Sequence, residues 1–245
     1  MTAPRRHDTF ALVLLTAFLI LWTVLAFDPW DRKDWLLENA LAIVGVLLLV
    51  FTAKTFPLSR ISYSLIFIFM CLHEVGAHYT YAEVPYEKFF QNSFGFSFNE
   101  LWGWQRNNFD RVVHFSYGLL LAYPIREVFY RIADVKGFWG YFLPLDVTMS
   151  TSMIFELIEW VAAETVGGEL GQAYLGTQGD IWDAHKDMAL ASLGAIVCMA
   201  VTAGINLYLQ RDLAAEFAES FRIKHKSPLG EDEIKRLMAD KKKSE

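Results

Sequence analysis

The chain has 245 residues, 54% of them hydrophobic, with a positive mean hydropathy. Soluble domains usually carry about 45–50% apolar residues, and here the excess is gathered into long runs, which excludes an ordinary soluble enzyme and points to a bilayer. The formal charge of −6, without a long basic stripe, excludes a nucleic-acid partner.

In chain order, the first apolar run is Thr9–Phe27, preceded by Arg5 and Arg6. No small-x-small cleavage site follows it, only Phe27-Asp28-Pro29-Trp30, so it reads as a retained signal anchor. Five more runs reach the length of about 20 residues needed to span hydrocarbon: Leu36–Phe56, Ile61–Tyr79, Phe109–Ile132, Phe138–Glu164 and Asp183–Gln210. The third run ends in polar residues, and the fifth is interrupted by Pro144 and Asp146. Lipid cannot satisfy free backbone groups, so the expected form is helical. The fold expectation is an all-α, polytopic membrane bundle of about six transmembrane helices, with residues 1–210 as the membrane domain and 211–245 as a charged, helical, cytoplasmic tail. Cys71 and Cys198 lie in apolar runs, which argues against a disulfide framework.

Lys and Arg near the span ends set orientation. Arg5, Arg6, Lys54, Arg60, Arg126, Arg131, Lys136 and Arg211 fall on one side with the basic tail. Arg32, Lys33, Lys88, Arg106, Arg111 and Lys186 fall on the other, diluted by acids. The bias predicts both termini inside. The external loop Ala82–Asn108 carries Phe89, Phe90, Phe94, Phe96, Phe98, Trp102 and Trp104. That aromatic density suits the membrane–water interface, with a lid over the bundle as the sharper alternative. Beyond Gln210, Leu213, Phe217 and Phe221 recur at helical spacing, and Lys241-Lys242-Lys243 comes close to the end.

Ionisable residues inside spans are costly and mark functional sites by default. Here they gather at the external helix ends. Glu74/His78, Asp110/His114 and Asp183/Asp187 are i,i+4 pairs, and Glu156/Glu159 is an i,i+3 pair, so each pair shares one helix face. In an alternating topology all four pairs fall in one layer, which holds every histidine except His7 and His225. Three chemistries fit: a divalent metal (zinc, manganese or iron) held by mixed N/O ligands; a relay for protons or a transported cation; or a polar network that only holds the helices together. For a single pair the last is the favoured reading; for four converging pairs a functional site is. The candidate ligands are His78, Asp110, His114, Glu156, Glu159 and Asp187, with His73, Glu74 and Asp183 as second choices. The string His73-Glu74-Val75-Gly76-Ala77-His78 is one residue too long for His-Glu-x-x-His, and Ser116, Ser152 and Cys71 lack the context of an enzyme nucleophile, so no catalytic residue is assigned.

The Gly-rich loop between Gly167 and Asp183 would suit an anion at a helix N-terminus. It lacks a nucleotide-loop pattern, and Asp180 reads instead as an N-cap, which leaves Asp187 as the stronger site residue. Toward the cytoplasmic side, Arg126 and Asp146 are expected to form a structural ion pair, and Pro124 and Pro144 to kink their helices. Ala191, Ser192, Gly194 and Ala195 have the small-residue spacing of a close helix interface.

Several strings carry a family resemblance: Gly76-Ala77-His78-Tyr79-Thr80-Tyr81-Ala82, Asp110-Arg111-x-x-His114-Phe115, Glu156-x-x-Glu159-Trp160 and Leu175-Gly176-Thr177-Gln178-Gly179-Asp180-x-Trp182-Asp183-x-x-x-Asp187-Met188. Together and in this order they resemble the YjdF-like family of bacterial inner-membrane proteins, from the first span through the sixth. That resemblance implies an inner-membrane location and no particular reaction. The Asp-x-x-x-His-Phe opening of the fourth span, with the later Glu-x-x-Glu and Asp-x-x-x-Asp, is more weakly similar to VanZ-like membrane proteins, which by analogy implies a cell-envelope role. Three functions follow as expectations. The first is an external metal site acting on an envelope lipid or cell-wall precursor, with metal-bound water as nucleophile. The second is a proton- or cation-coupled transporter, weakened by the lack of a visible repeat. The third is a non-catalytic scaffold. The lipid bilayer is the one partner common to all three.

Overall fold

The computed structural model describes residues 3–168, 171, 175–209, 212–224 and 230–244, and among these every regular element is helical. Six long helices form the frame: α1 (Ala3–Leu25), α2 (Arg32–Thr52), α3 (Arg60–His78), α6 (Phe109–Ala133), α7 (Trp139–Val166) and α8 (Asp183–Tyr208). Two short helices, α4 (Tyr86–Phe94) and α5 (Phe98–Trp102), fold the long loop. Two more, α9 (Leu213–Ser220) and α10 (Glu231–Ser244), follow the frame.

Side-chain burial is inverted relative to a soluble protein. Glu74, Asn39, Asn108 and Thr148 are among the most completely buried side chains, while Leu48, Phe51, Ile154 and Ile205 face outward. Glu74 is 0% exposed and Phe51 is 77% exposed. Water would reverse that arrangement, because exposed apolar area costs free energy in water and buried carboxylates cost far more. A hydrocarbon solvent removes the first cost and makes inward-facing polar groups the rule. Helices α2, α3 and α8 are long and apolar enough to cross a bilayer, and α1 contributes the shorter apolar stretch Thr9–Leu25. Helices α6 and α7 have the length to cross, at 25 and 28 residues, but the carboxylates of both and the arginines of α6 lower their apolarity.

Helix α6 is the hub. It packs on α3, α7 and α8, while α1 and α2 lie against α3. Its approach to α8 depends on missing side chains. A Cβ on Gly118 would sit 1.8 Å from the Ala191 carbonyl oxygen, and one on Gly194 would sit 2.1 Å from the Phe115 carbonyl oxygen. Ala191 and Ala195 are fully buried in the same seam. The small-residue stripe read in the last span is therefore the α6–α8 contact, where dispersion replaces the hydrophobic drive that lipid lacks.

Loop contacts define two faces. On one, the Trp30 N–H donates to the His78 carbonyl at 2.9 Å, and the chain before α6 binds the chain before α8. On the other, Glu127 of α6 accepts from the Ser59 N–H at 2.8 Å and from the Ser62 hydroxyl, and Arg131 reaches the Pro57 carbonyl. Helix α9 docks on this second face. The Ser220 hydroxyl accepts from the Phe138 N–H at 3.1 Å, and the Trp139 indole donates to the Ser220 carbonyl at 3.1 Å. The expected Gln210, Arg211 and His225 positions lie outside the described residues.

Two expectations need correction here. Arg126 and Asp146 do not pair. The Arg126 guanidinium lies over the Tyr141 ring, 4.8 Å from its centroid, and Asp146 is exposed. Pro144 and Thr148 are buried on α7, and Asp146, two residues from each, falls on the opposite face at 3.6 residues per turn. Helix α8 begins at Asp183, as expected, but with a different cap. Its N-cap is Trp182 rather than Asp180, and Asp180 is used differently, as described below.

Candidate functional site

On the first face, an electrostatic latch joins the chain entering α6 to the chain entering α8. Arg106 Nη1 donates to Asp183 Oδ1 at 2.6 Å and its Nη2 to Oδ2 at 3.2 Å, a bidentate fork. Arg106 also donates to the Thr177 carbonyl at 2.8 Å. Arg111 bridges Asp180 at 2.5 Å and Asp183 at 3.1 Å, and Lys186 reaches Asp180 at 2.5 Å. Gln178 binds the backbone of Asn107 reciprocally, its Oε1 accepting at 3.1 Å and its Nε2 donating at 2.9 Å. Asp180 accepts the Trp182 N–H at 3.1 Å, so it orders the turn before α8 without being its N-cap. Lys186, the Trp182 N–H and Arg111 hold the Asp180 carboxyl well below the usual range. The Thr177-Gln178-Gly179-Asp180 string is thus part of a latch and carries its own anion, Asp180.

Beneath the latch, α6, α7 and α8 bring four predicted side chains together. One ligand atom each from Asp110, His114 and Asp187 lie within 4.8 Å of one another. His114 Nε2 is 3.5 Å from Asp110 Oδ1 and 3.5 Å from Glu156 Oε1. Both separations exceed a normal hydrogen bond. They match the roughly 3.0–3.5 Å between neighbouring ligands that share one ion at about 2.0–2.2 Å. Asp187 is buried with its Oδ1 lacking a hydrogen-bond partner, and Glu156 Oε1 also lacks one. Glu159, three residues nearer the C-terminal end of α7 than Glu156, lines a pocket together with Asp110.

A neighbouring layer comes from α2 and α3. Asp34 and Glu38 of α2, Glu159 and Asp110, and the turn Thr80–Ala82 line one pocket. Thr80 and Tyr81 both adopt left-handed backbone, with φ of 51° and 50°, a strained choice for a β-branched residue that costs on the order of 1–3 kcal/mol. The turn folds Tyr81 back over α3, where its hydroxyl shares a 2.5 Å hydrogen bond with His73 Nδ1. The ring fills the space over Gly76, where a Cβ would meet Tyr81 Cε1 at 2.4 Å. Glu74 is fully buried and neither of its carboxylate oxygens has a hydrogen-bond partner.

The placements are therefore uneven. Asp110, His114, Glu156 and Asp187 are gathered, with Glu159 beside them. His73 and Glu74 line the α2–α3 side. Asp183 is committed to the latch. His78 turns away: its Nδ1 is 2.7 Å from the Leu25 carbonyl, joining α3 to the end of α1. His185 is exposed and packs edge-on against Trp182. The sequence reading missed Asp34, Glu38, Arg106 and Tyr81. Asp34 and Glu38 are themselves an i,i+4 pair, Asp34 just before the run Leu36–Phe56 and Glu38 inside it.

Six long helices with carboxylates inside and apolar side chains outside define a polytopic membrane protein with a polar intramembrane cluster. Residues 10–207 match the family described as "Predicted membrane protein (DUF2238)", and the chain belongs to that family. It is 39% identical over 189 residues to "Inner membrane protein YjdF" of Escherichia coli (strain K12), an alignment covering 76% of this chain and 86% of that one. No solved structure matches it. The chain is thus a multi-pass inner-membrane protein.

Proposed function

We propose that the protein binds a divalent cation between α6, α7 and α8, through Asp110, His114, Glu156 and Asp187, and uses it on an amphiphilic envelope lipid or cell-wall precursor at the outer side of the membrane. One observation carries the reading: Asp110 Oδ1 and Glu156 Oε1 each stand 3.5 Å from His114 Nε2, and a ligand atom of Asp187 lies within 4.8 Å of those of Asp110 and His114. A set of one imidazole and three carboxylates suits zinc, manganese or iron. Such a cation supplies Lewis acidity toward a phosphoryl or carbonyl oxygen.

The chain's own residues prepare the place. The latch fixes the spacing of α6 and α8. Arg106, Arg111 and Lys186 neutralise Asp180 and Asp183, so none of the three is drawn into the cluster. The outer assignment rests on the distribution of Lys and Arg: Arg5, Arg6, Lys54, Arg60, Arg126, Arg131 and Lys136 fall on the opposite side, more than the basic residues of this one. The aromatic loop supports an amphiphilic ligand. Phe90 stacks with Phe98 and meets Phe94 and Phe96 at a tilt, while Phe89, Phe94 and Trp102 remain exposed.

Elemental analysis of the detergent-purified protein, supplied with zinc, manganese or iron, tests the reading. Wild type should retain a bound metal, and folded His114→Ala and Asp187→Asn proteins should bind it more than about 100-fold more weakly, beyond what loss of an outer-shell partner usually costs. Folded wild type without metal under all three supplements would overturn it and leave a proton relay or a purely structural network.

A further inference from the structure

We infer that Arg106, Arg111 and Lys186 form a binding site for the phosphate group of a membrane lipid, and that the Asp180 carboxylate occupies this site until the lipid displaces it. The choice of a lipid as bearer of the phosphate rests on the reading above; the anion position rests on its own distances. Three cationic nitrogens converge on one oxygen. Arg111 Nη2 and Lys186 Nζ each stand 2.5 Å from Asp180 Oδ2, and Arg106 Nη1 stands 4.0 Å from it. The Trp182 N–H donates to Asp180 Oδ1 at 3.1 Å. The carboxylate fills this place incompletely, because 4.0 Å is beyond hydrogen-bond distance and Arg106 turns its fork to Asp183 instead. A phosphate presents three acceptor oxygens where a carboxylate presents two, and so can meet all three cations.

Charge favours the exchange. The three cations face two carboxylates, Asp180 and Asp183, which leaves one positive charge in excess. A phosphate monoester carries about −1.5 to −2, so in place of Asp180 it brings the cluster close to neutrality. Access and a hinge are both present. The Lys186 side chain is 48% exposed. Gln178 is anchored on Asn107, and Gly179, with φ of 85° and nothing within 4 Å of an added Cβ, separates that anchor from Asp180. The two residues after Asp180, Ile181 and Trp182, are 85% and 57% exposed. They set an apolar surface beside the cationic one, the combination that an amphiphilic phosphate fits. Arg111 and Lys186 are each one residue from a member of the cation cluster, Asp110 and Asp187, so a phosphate held here lies next to that cluster.

Metal-stripped, detergent-purified protein should be titrated by calorimetry with inorganic phosphate, short-chain phosphatidic acid and short-chain phosphatidylcholine, with thermal melting as the fold check. Wild type should bind phosphate, should bind phosphatidic acid more tightly, and should not bind phosphatidylcholine. Asp180→Asn should bind phosphate about 10-fold more tightly although it melts lower, because the competing carboxylate is gone. Lys186→Gln should bind it about 10-fold more weakly, the contribution of one charge-assisted hydrogen bond. Asp28→Asn removes the same charge from an exposed position on the same face and should bind like wild type. An Asp180→Asn protein that binds phosphate no more tightly than wild type, or an equal gain in Asp28→Asn, would overturn the inference. Equal affinity for phosphate and phosphatidic acid would overturn the lipid and keep the anion position. Should Asp180→Asn fail to fold, unchanged phosphate binding by Lys186→Gln would overturn the site. The titration contains no metal, so a wild type that takes up no zinc, manganese or iron removes the cation reading and leaves this result standing.

Discussion

Gly118 of α6 and Ala191 of α8 meet so closely that a single added carbon on the glycine would fall 1.8 Å from the alanine carbonyl oxygen. The obstacle is backbone, so the helices themselves must part. Gly118→Ala should lower stability by about 3 kcal/mol, the upper range of overpacking. Because α6 carries His114 one turn away and α8 carries Asp187, metal affinity should fall with it. Gly45→Ala, with nothing within 4 Å of the new carbon, is the control and should melt like wild type. Thermal unfolding in detergent reads the first effect and metal titration the second. A Gly118→Ala protein that melts and binds like wild type would contradict the close approach.

Asp183 and Asp187 lie one turn apart on α8 but are assigned different work. Asp183 holds Arg106 and Arg111, so Asp183→Asn should destabilise by about 3 kcal/mol, as breaking a buried pair does, while the metal count stays at the wild-type value. Asp187→Asn should do the reverse, leaving melting in metal-free buffer largely intact and removing metal. Identical behaviour of the two variants in both measurements would refute this division.

The latch also has a pH signature. The Asp180 carboxyl is held below its ordinary value by Lys186, the Trp182 N–H and Arg111. A carboxyl depressed on folding stabilises above its unfolded pKa of about 3.9, and that stabilisation is lost only as pH falls through the lower folded value. Wild type should therefore melt higher than Asp180→Asn at pH 7 and at pH 5. The gap should begin to narrow only below about pH 4. A gap that closes between pH 7 and pH 5 would assign the effect to another group.

Trp102 sits at the rim of the aromatic loop and is 61% exposed. In vesicles its fluorescence should be quenched by lipids brominated high on the acyl chain more than by water-soluble iodide. Phe90→Ala, which removes the centre of the ring cluster, should make iodide the better quencher. Iodide quenching that dominates in the wild type would place the loop in water.

The YTYA segment illustrates where sequence reading stops. Gly76, Thr80 and Tyr81 belonged to a recognisable string, yet nothing in the string announces that Thr80 and Tyr81 take left-handed backbone and swing a phenol onto His73. His78 shows the converse. Its i,i+4 relation to Glu74 placed it on the right face by periodicity, but the C-terminal turn of α3 delivers it to the Leu25 carbonyl. Helical period tells which residues share a face; it does not tell which neighbour that face meets.

The sequence by itself determined the solvent and the class. Long, continuous apolar runs read as helices in lipid, because hydrocarbon leaves only helices or closed barrels to satisfy the backbone and barrel strands are short and alternating. The i,i+4 and i,i+3 pairs at helix ends then determined that carboxylates and histidines would share one depth. The tertiary structure decided which of those groups face one another. It committed Asp183 and Asp180 to arginines and lysine, gathered Asp110, His114 and Asp187 with Glu156 beside His114, and added Asp34 and Glu38 of α2. The physical reason is that pairing across helices depends on rotation and approach, and here these are set by the glycine and alanine contacts of α6 with α8 and by the latch above them, interactions between residues about 70 positions apart in the chain.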